Sequence, residues 1–301
     1  MAITSATVAQ ADNLVYPKAP ADNTVDEYFG IKVPDPYRPL ENDTAMSTLE
    51  WVKAENAVTN GYLSKIPFRN ALRNEIEQFN NYARRGAPWR WKDGRYYFYK
   101  NDGLKNQSVL YRMDTLGSDP AVVLDPNTLS DDGTVALTGL SMSQDGKEIA
   151  YTISRSGSDW TEIYVIDAKT LNPLPDHIEW GKFTGAVWRT EGINGRKGFF
   201  YSAYPRPEAG KEFSNANEYH NIYFHELNTP QSADILVYTD PKNPLHFHSA
   251  GITHDERWLV VSTGGQGVGN GLMIKDMTKP GADWTVIEPT QEALVDIIDI
   301  K

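Results

Sequence analysis

The sequence has no cysteine, which excludes disulfides, thiolate catalysis and cysteine-ligated metal and leaves the redox compartment open. It has no apolar run of about 18 residues, so no membrane-crossing helix is expected. It is short of positive charge. Lys and Arg number 29 against 40 Asp and Glu, a formal charge of −11 over 301 residues. A surface of that sign repels phosphate backbones and anionic bilayers, so neither nucleic acid nor a membrane is expected as a partner. Near the start, Val8-Ala9-Gln10-Ala11 has the small residues of a secretory cleavage site but no basic segment ahead of it. Residues 1–13 therefore read as a loose terminus in preference to a signal remnant. For compartment, cytoplasm or periplasm is expected, with the cytoplasm favoured.

Aromatic residues, by contrast, are plentiful (8 Trp, 16 Tyr, 10 Phe), as suits a β-rich chain. The stretch from Pro126 to Trp160 sets the pattern. A polar loop leads into alternating apolar residues, a turn at Gln144-Asp145-Gly146-Lys147, and a return through Ile149, Tyr151 and Ile153. Alternation of period two marks a strand, and Asp-Gly between two such runs marks a hairpin. A third strand follows at 162–167. The same plan starts at Trp89 and recurs, with turns expected at Asp93-Gly94, Asp145-Gly146, Glu191-Gly192 and Asp255-Glu256, 46 to 64 residues apart. Four short strands per repeat at that period mean propeller blades. Four blades are expected, beginning near Trp89, Leu137, Phe183 and His246, with Val295–Ile300 as the first strand of a fifth.

Ahead of the blades the pattern differs. Residues up to about 40 read as extended, because Pro34, Pro36 and Pro39 oppose helix. Ser47-x-x-Glu50 has the form of a capping box. Trp51, Val58 and Leu63, then Phe68, Leu72, Ile76 and Phe79 after Pro67, recur at helical spacing, which predicts two helices over about 44–83. Their stripe of Trp51, Leu63, Leu72, Ile76 and Phe79 is expected to be only partly covered.

Six stretches in order carry a resemblance: EYFGIKVPDPYRPLEN at 27–42, LEWVKAENAVTNGYL at 49–63, LKNQSVLY at 104–111, LDPNTLSDDGTVAL at 124–137, SGSDW at 156–160 and FFYSAYPRP at 199–207. Together they resemble the prolyl oligopeptidase family of serine peptidases. The resemblance implies a mainly β chain: a partial, open propeller of about four blades (86–301), from a seven-bladed family propeller. An N-terminal segment (1–85) would pack on an α/β-hydrolase domain. It also implies cleavage of short peptides after proline, with the propeller gating access by size. The family's nucleophile sits in G-x-S-x-G, which this sequence lacks. The Ser-Asp-His triad is thus expected in a C-terminal hydrolase portion, and this chain alone is expected to be inactive. No residue here is carried over as catalytic. Phe183 matches a family phenylalanine that faces the bound peptide, and Phe247 falls where the family places a further apolar contact. Short proline-containing peptides and the hydrolase domain are the partners implied. The alternative is a non-catalytic propeller used as a binding module. A propeller lyase or glycosidase would need acid and base groups converging at the ring centre, and no such set stands out.

The remaining constellations carry weaker signals. His246-x-His248 places two imidazoles on one face of a strand, with His254 nearby, but no third ligand has clear spacing, so neither metal nor cofactor is expected. His220 and His225 lie five apart and receive no role. Gly264-Gly265-Gln-Gly267-Val-Gly269-Asn-Gly271 misses every phosphate-loop pattern and precedes a strand, so it reads as a long mobile hairpin. Ser156-Gly157-Ser158-Asp159 reads as a turn whose side chains cap backbone groups.

Overall fold

A computed structural model describes residues 14–193, 195–208, 215–265, 267–298 and 300, so the reading of residues 1–13 as a loose terminus lies outside the described residues. The chain divides into two compact units, Met1–Asn80 with Pro207–Asn215, and Asn81–Arg206 with Ala216–Lys301.

In the first unit, strands Val25–Tyr28 and Ile31–Pro34 form an antiparallel hairpin where extended chain alone was expected. Its turn residues Phe29 and Gly30 both have positive φ, 54° and 82°, the geometry that matches strand twist. Arg38 closes the segment through Asp26 and, at 2.6 Å, Asp35. Two helices follow, α1 (Met46–Leu63) and α2 (Arg69–Asn80). The cap of α1 is Ala45, with no side-chain hydrogen bond, so the Ser47–Glu50 pair lies inside the helix and does not cap it. Trp51 and Leu63 are half-buried, and α2 contains no buried residue. Leu72 is 49% and Phe79 73% exposed.

The second unit is four antiparallel blades. Blade 1 has strands Trp89–Arg90, Tyr96–Asn101, Val109–Met113 and Ala121–Leu124. Blade 2 has Val135–Met142, Glu148–Arg155, Thr161–Asp167 and Pro173–Gly181. Blade 3 has Val187–Ile193, Arg196–Ala203, Asn221–Glu226 and Ile235–Tyr238. Blade 4 has Phe247–Ile252, Trp258–Gly264, Gly271–Asp276 and Thr285–Glu288. The core consists of apolar layers between adjacent blades. Tyr97 and Leu110 meet Ile149 and Ile166, Ile163 and Ile178 meet Trp188 and Phe199, and Phe200 and Phe224 meet Leu259 and Val261. Phe199 and Phe200 are successive residues and serve opposite layers. A middle strand is therefore covered on both faces, which is why Gly198–Ala203 is buried throughout instead of alternating.

Polar clamps join the same neighbours. Lys197 of blade 3 bonds Asp145 (2.6 Å) and Glu148 of blade 2. Glu256 of blade 4 accepts from the Thr190 backbone N–H (2.6 Å) and hydroxyl (2.8 Å) of blade 3. Glu256 occupies the turn position that Gly94 and Gly146 hold in blades 1 and 2, and its φ is +57°. The left-handed conformation costs a side chain roughly 1 kcal/mol, and the buried carboxylate's bonds to blade 3 offset it. Between blades 4 and 1, the described residues form no apolar cluster; Lys92 Nζ and His254 Nε2 meet at 3.0 Å. The sheets are open, as the family resemblance implies.

Two local expectations are corrected, and a third is refined. The blade-3 hairpin turns between Ile193 and Arg196, not at Glu191-Gly192. Gly192 sits in the strand at an irregularity, where a Cβ would lie 1.3 Å from the Arg196 carbonyl oxygen. The glycine-rich stretch is the hairpin connection expected, joining Trp258–Gly264 to Gly271–Asp276, and its backbone also bonds the chain that follows blade 4. Gly269 N–H donates to Gln291 O (2.9 Å) and Asn270 N–H to Ala293 O (3.1 Å). Side chains at Gly267 or Gly269 would collide with this seam. Finally, the described part of Val295–Ile300 forms no strand. The Asn270 carboxamide takes both backbone groups of Val295 (2.8 and 2.9 Å), standing in for a partner strand.

Candidate functional site

The residues singled out for peptide contact come together at one end of blades 2 to 4. Phe183 lies in a bend between blades 2 and 3, a few residues ahead of the blade it was expected to open, and its φ is +52°. A bulky residue held there is strained, and such strain persists where the surroundings over-determine it. Phe247 opens blade 4 opposite Gly264, and its ring lies over that glycine, where a Cβ would approach Phe247 Cζ to 2.6 Å. The two rings are tilted by 51° with centroids 6.0 Å apart. Phe183 is 61% exposed and Phe247 42%, so neither belongs to a blade core.

Around them is a built environment. Lys182 is buried, with Nζ 4.9 Å from the Trp160 ring and 5.6 Å from the Phe183 ring, within cation–π range. Asp159 lies 3.7 Å from the ammonium. Trp160 meets Trp180 and Tyr204 edge-on, at 5.4 and 6.2 Å. The Ser156–Asp159 segment is the turn expected of it, for Ser158 Oγ accepts from the Trp160 N–H (3.1 Å).

His220 was given no role from the sequence, and nothing in its local pattern offers one. It is buried, with Nδ1 accepting from the His248 backbone N–H (2.9 Å). Nε2 must then carry the proton and donate to Lys182 O (3.0 Å). Burial, eased by that carbonyl, pushes its pKa down to about 4. His248 is pushed down to about 4 as well, by burial and then by His220. His225 is the reverse. Burial opposes its charge, yet hydrogen bonds to Asp176 (3.0 Å) and Asp234 (2.7 Å) and the charges of both outweigh burial and push it up to about 9. The histidines considered for metal do not converge. His248 bonds Thr263, His246 faces Asp240 at 3.4 Å and His254 meets Lys92. No group of three ligand-type residues gathers among the described residues.

A family model described as the prolyl oligopeptidase N-terminal beta-propeller domain matches residues 17–300. The chain belongs to the prolyl oligopeptidase family. Its sequence is 41% identical over 299 residues, 99% of the chain, to a prolyl endopeptidase of Elizabethkingia miricola. Over 82% of the chain it is 35% identical to prolyl oligopeptidase A of Galerina marginata. It spans 41% and 37% of those two proteins' lengths. Among solved structures, prolyl oligopeptidase B of Galerina marginata, bound to a 35mer hydrolysis and macrocyclization substrate, aligns with a TM-score of 0.77 at 27% identity. That alignment covers 95% of this chain and 43% of the other. The four blades with their leading helical segment thus correspond to the propeller portion of this family. No described helix is long and apolar enough to cross a membrane.

Proposed function

We propose that this chain is the propeller portion of a serine-type prolyl oligopeptidase that cleaves short peptides after proline. In this reading the Ser-Asp-His triad, working by acyl transfer, belongs to a C-terminal α/β-hydrolase portion. The blades gate access to it by size. The helical segment, residues 1–85, packs on that portion through the apolar residues of α1 and α2, of which Leu72 and Phe79 are exposed. Phe183 and Phe247 take an apolar side chain of the bound peptide between their rings.

The observation that carries this reading is the exposed, tilted Phe183–Phe247 pair, one ring of which is held at a positive φ. Exposed aromatics of this size contribute little to a blade, whereas two exposed rings beside the Lys182 ammonium offer an apolar peptide side chain a contact surface. The test is the product of the complete reading frame containing this chain, assayed on a Gly-Pro reporter peptide with and without a serine-directed inhibitor. Inhibitor-sensitive cleavage after proline is expected, and this chain alone should be inert. Absence of cleavage would overturn the reading and favour a peptide-binding module without catalysis.

A further inference from the structure

Phe183 comes from the bend between blades 2 and 3 and Phe247 from the start of the first blade-4 strand, and their exposed rings are not locked by packing on all sides. Something else must fix their spacing. The carbonyl of Lys182 belongs to the peptide unit that enters Phe183. The N–H of His248 belongs to the unit that leaves Phe247. Both are taken by the imidazole of His220, at 3.0 and 2.9 Å. We propose that His220 is the positioning residue that sets the separation of the Phe183 and Phe247 rings. This assignment rests on the peptide-pocket reading of that pair.

The chemistry favours this role over that of an ordinary buried histidine. An imidazole is a rigid plate whose two nitrogens, one donor and one acceptor, fix the distance between the groups they bond. The plate itself is held by Tyr204, whose ring centroid is 4.4 Å away, and by His248, stacked at 6.4 Å. It sits just before the blade-3 strand Asn221–Glu226, whose residues Ile222 and Phe224 are in the core and anchor the adjoining backbone. Only the neutral ring serves both partners. The imidazolium has two donors and no acceptor, so protonation breaks the bond from His248 N–H. The charged and titratable groups around it are Lys182, Tyr204 and His248, with Asp240 and His246 beyond His248. Asp240 is the one carboxylate among them and acts through His248.

The test has two arms. In this chain, NMR is expected to find His220 as the Nε2–H tautomer, with cross-peaks between the Phe183 and Phe247 rings. His220→Ala should lose those cross-peaks while retaining the Tyr201–Tyr223 contact of blade 3. His220→Gln supplies one donor and one acceptor without titrating, and should keep the ring cross-peaks even below pH 5. If His220→Ala fails to fold, acidification of the unmodified chain supplies the same loss, and His220→Gln its rescue. Ring cross-peaks that survive in folded His220→Ala, or an Nδ1–H tautomer, would overturn the proposal. In the peptidase from the complete reading frame, His220→Ala should raise KM for Phe-Gly-Pro reporters about tenfold, the worth of one such bond. It should leave kcat and the KM for Gly-Gly-Pro nearly unchanged. An equal rise for both peptides would reduce His220 to a general structural role. If no cleavage after proline is seen at all, the pocket reading fails while the NMR arm still judges His220.

Discussion

His220 just precedes one blade-3 strand and His225 lies near that strand's far end; both are buried, and they are perturbed in opposite directions. His225 stands between two carboxylates and holds a proton to about pH 9; His220 stands between a carbonyl and an amide N–H and gives its proton up near pH 4. The first joins blade 2 to blade 3, because Asp176 lies in Pro173–Gly181 and Asp234 precedes the last strand of blade 3. Tyr201 adds a hydrogen bond to Asp234 at 2.7 Å, and Asn228 N–H one to Asp176 at 2.6 Å. The second histidine holds backbone at the end of the blades where aromatic rings are exposed. Burial alone favours the neutral ring, so the partners decide the charge.

The strongest way to break this contrast is to remove the cation. His225→Ala would leave Asp176 and Asp234 buried without a counter-charge, and unpaired buried charge costs about 3–5 kcal/mol. Chemical denaturation should show a loss of that size, and Asp176→Asn combined with His225→Ala should recover part of it. A loss below 1 kcal/mol would mean that the ring is not charged in the folded protein.

The next effect separates the two histidines by pH. For His220, the unfolded ring binds a proton near pH 6.5 while the folded one resists until about pH 4. His220 should therefore cost the fold about 3 kcal/mol as pH drops from 6.5 to 4, at 1.36 kcal/mol per unit, and His220→Gln should make that limb shallower while leaving the share of His248, which is lowered over the same range. His225 binds its proton more tightly folded than unfolded. Its contribution is complete below pH 6.5 and is lost as pH rises towards 9. Denaturation midpoints at pH 4.5, 6.5 and 9 check both signs.

Much of this architecture was legible because blades are built from local signals. Asp145-Gly146 between alternating runs announces its hairpin within ten residues, and all four blades begin near the positions that such runs mark. What sequence missed is what needs a neighbour. Gly192 and Gly195 both have positive φ, 61° and 78°, and only the pairing of Ile193 with Arg196 tells which one turns the chain. Glu256 occupies a glycine position because a strand 66 residues away supplies its partner. At the candidate site, Phe183 and Phe247 came from resemblance, not from any pattern of their own. His220 came from neither, since its two partners lie 38 and 28 residues away and both are backbone groups.

The smallest expected effect sharpens the comparison between site and core. Phe199 and Phe183 are the same residue type in neighbouring segments, one fully buried and the other 61% exposed. Phe199→Ala opens a cavity between blades 2 and 3 and should cost about 3–5 kcal/mol. Phe183→Ala removes little buried surface, and its cost should stay within about 0.5 kcal/mol. Phe183→Gly should be no worse than the alanine variant, because glycine adopts φ +52° without strain and regains what the backbone entropy of glycine loses. A folded chain that tolerates both substitutions but no longer discriminates Phe-Gly-Pro from Gly-Gly-Pro in the complete enzyme would place Phe183 in recognition and not in folding. A cost near that of Phe199→Ala would instead make the ring part of the blade interface, and its exposure would need another cause.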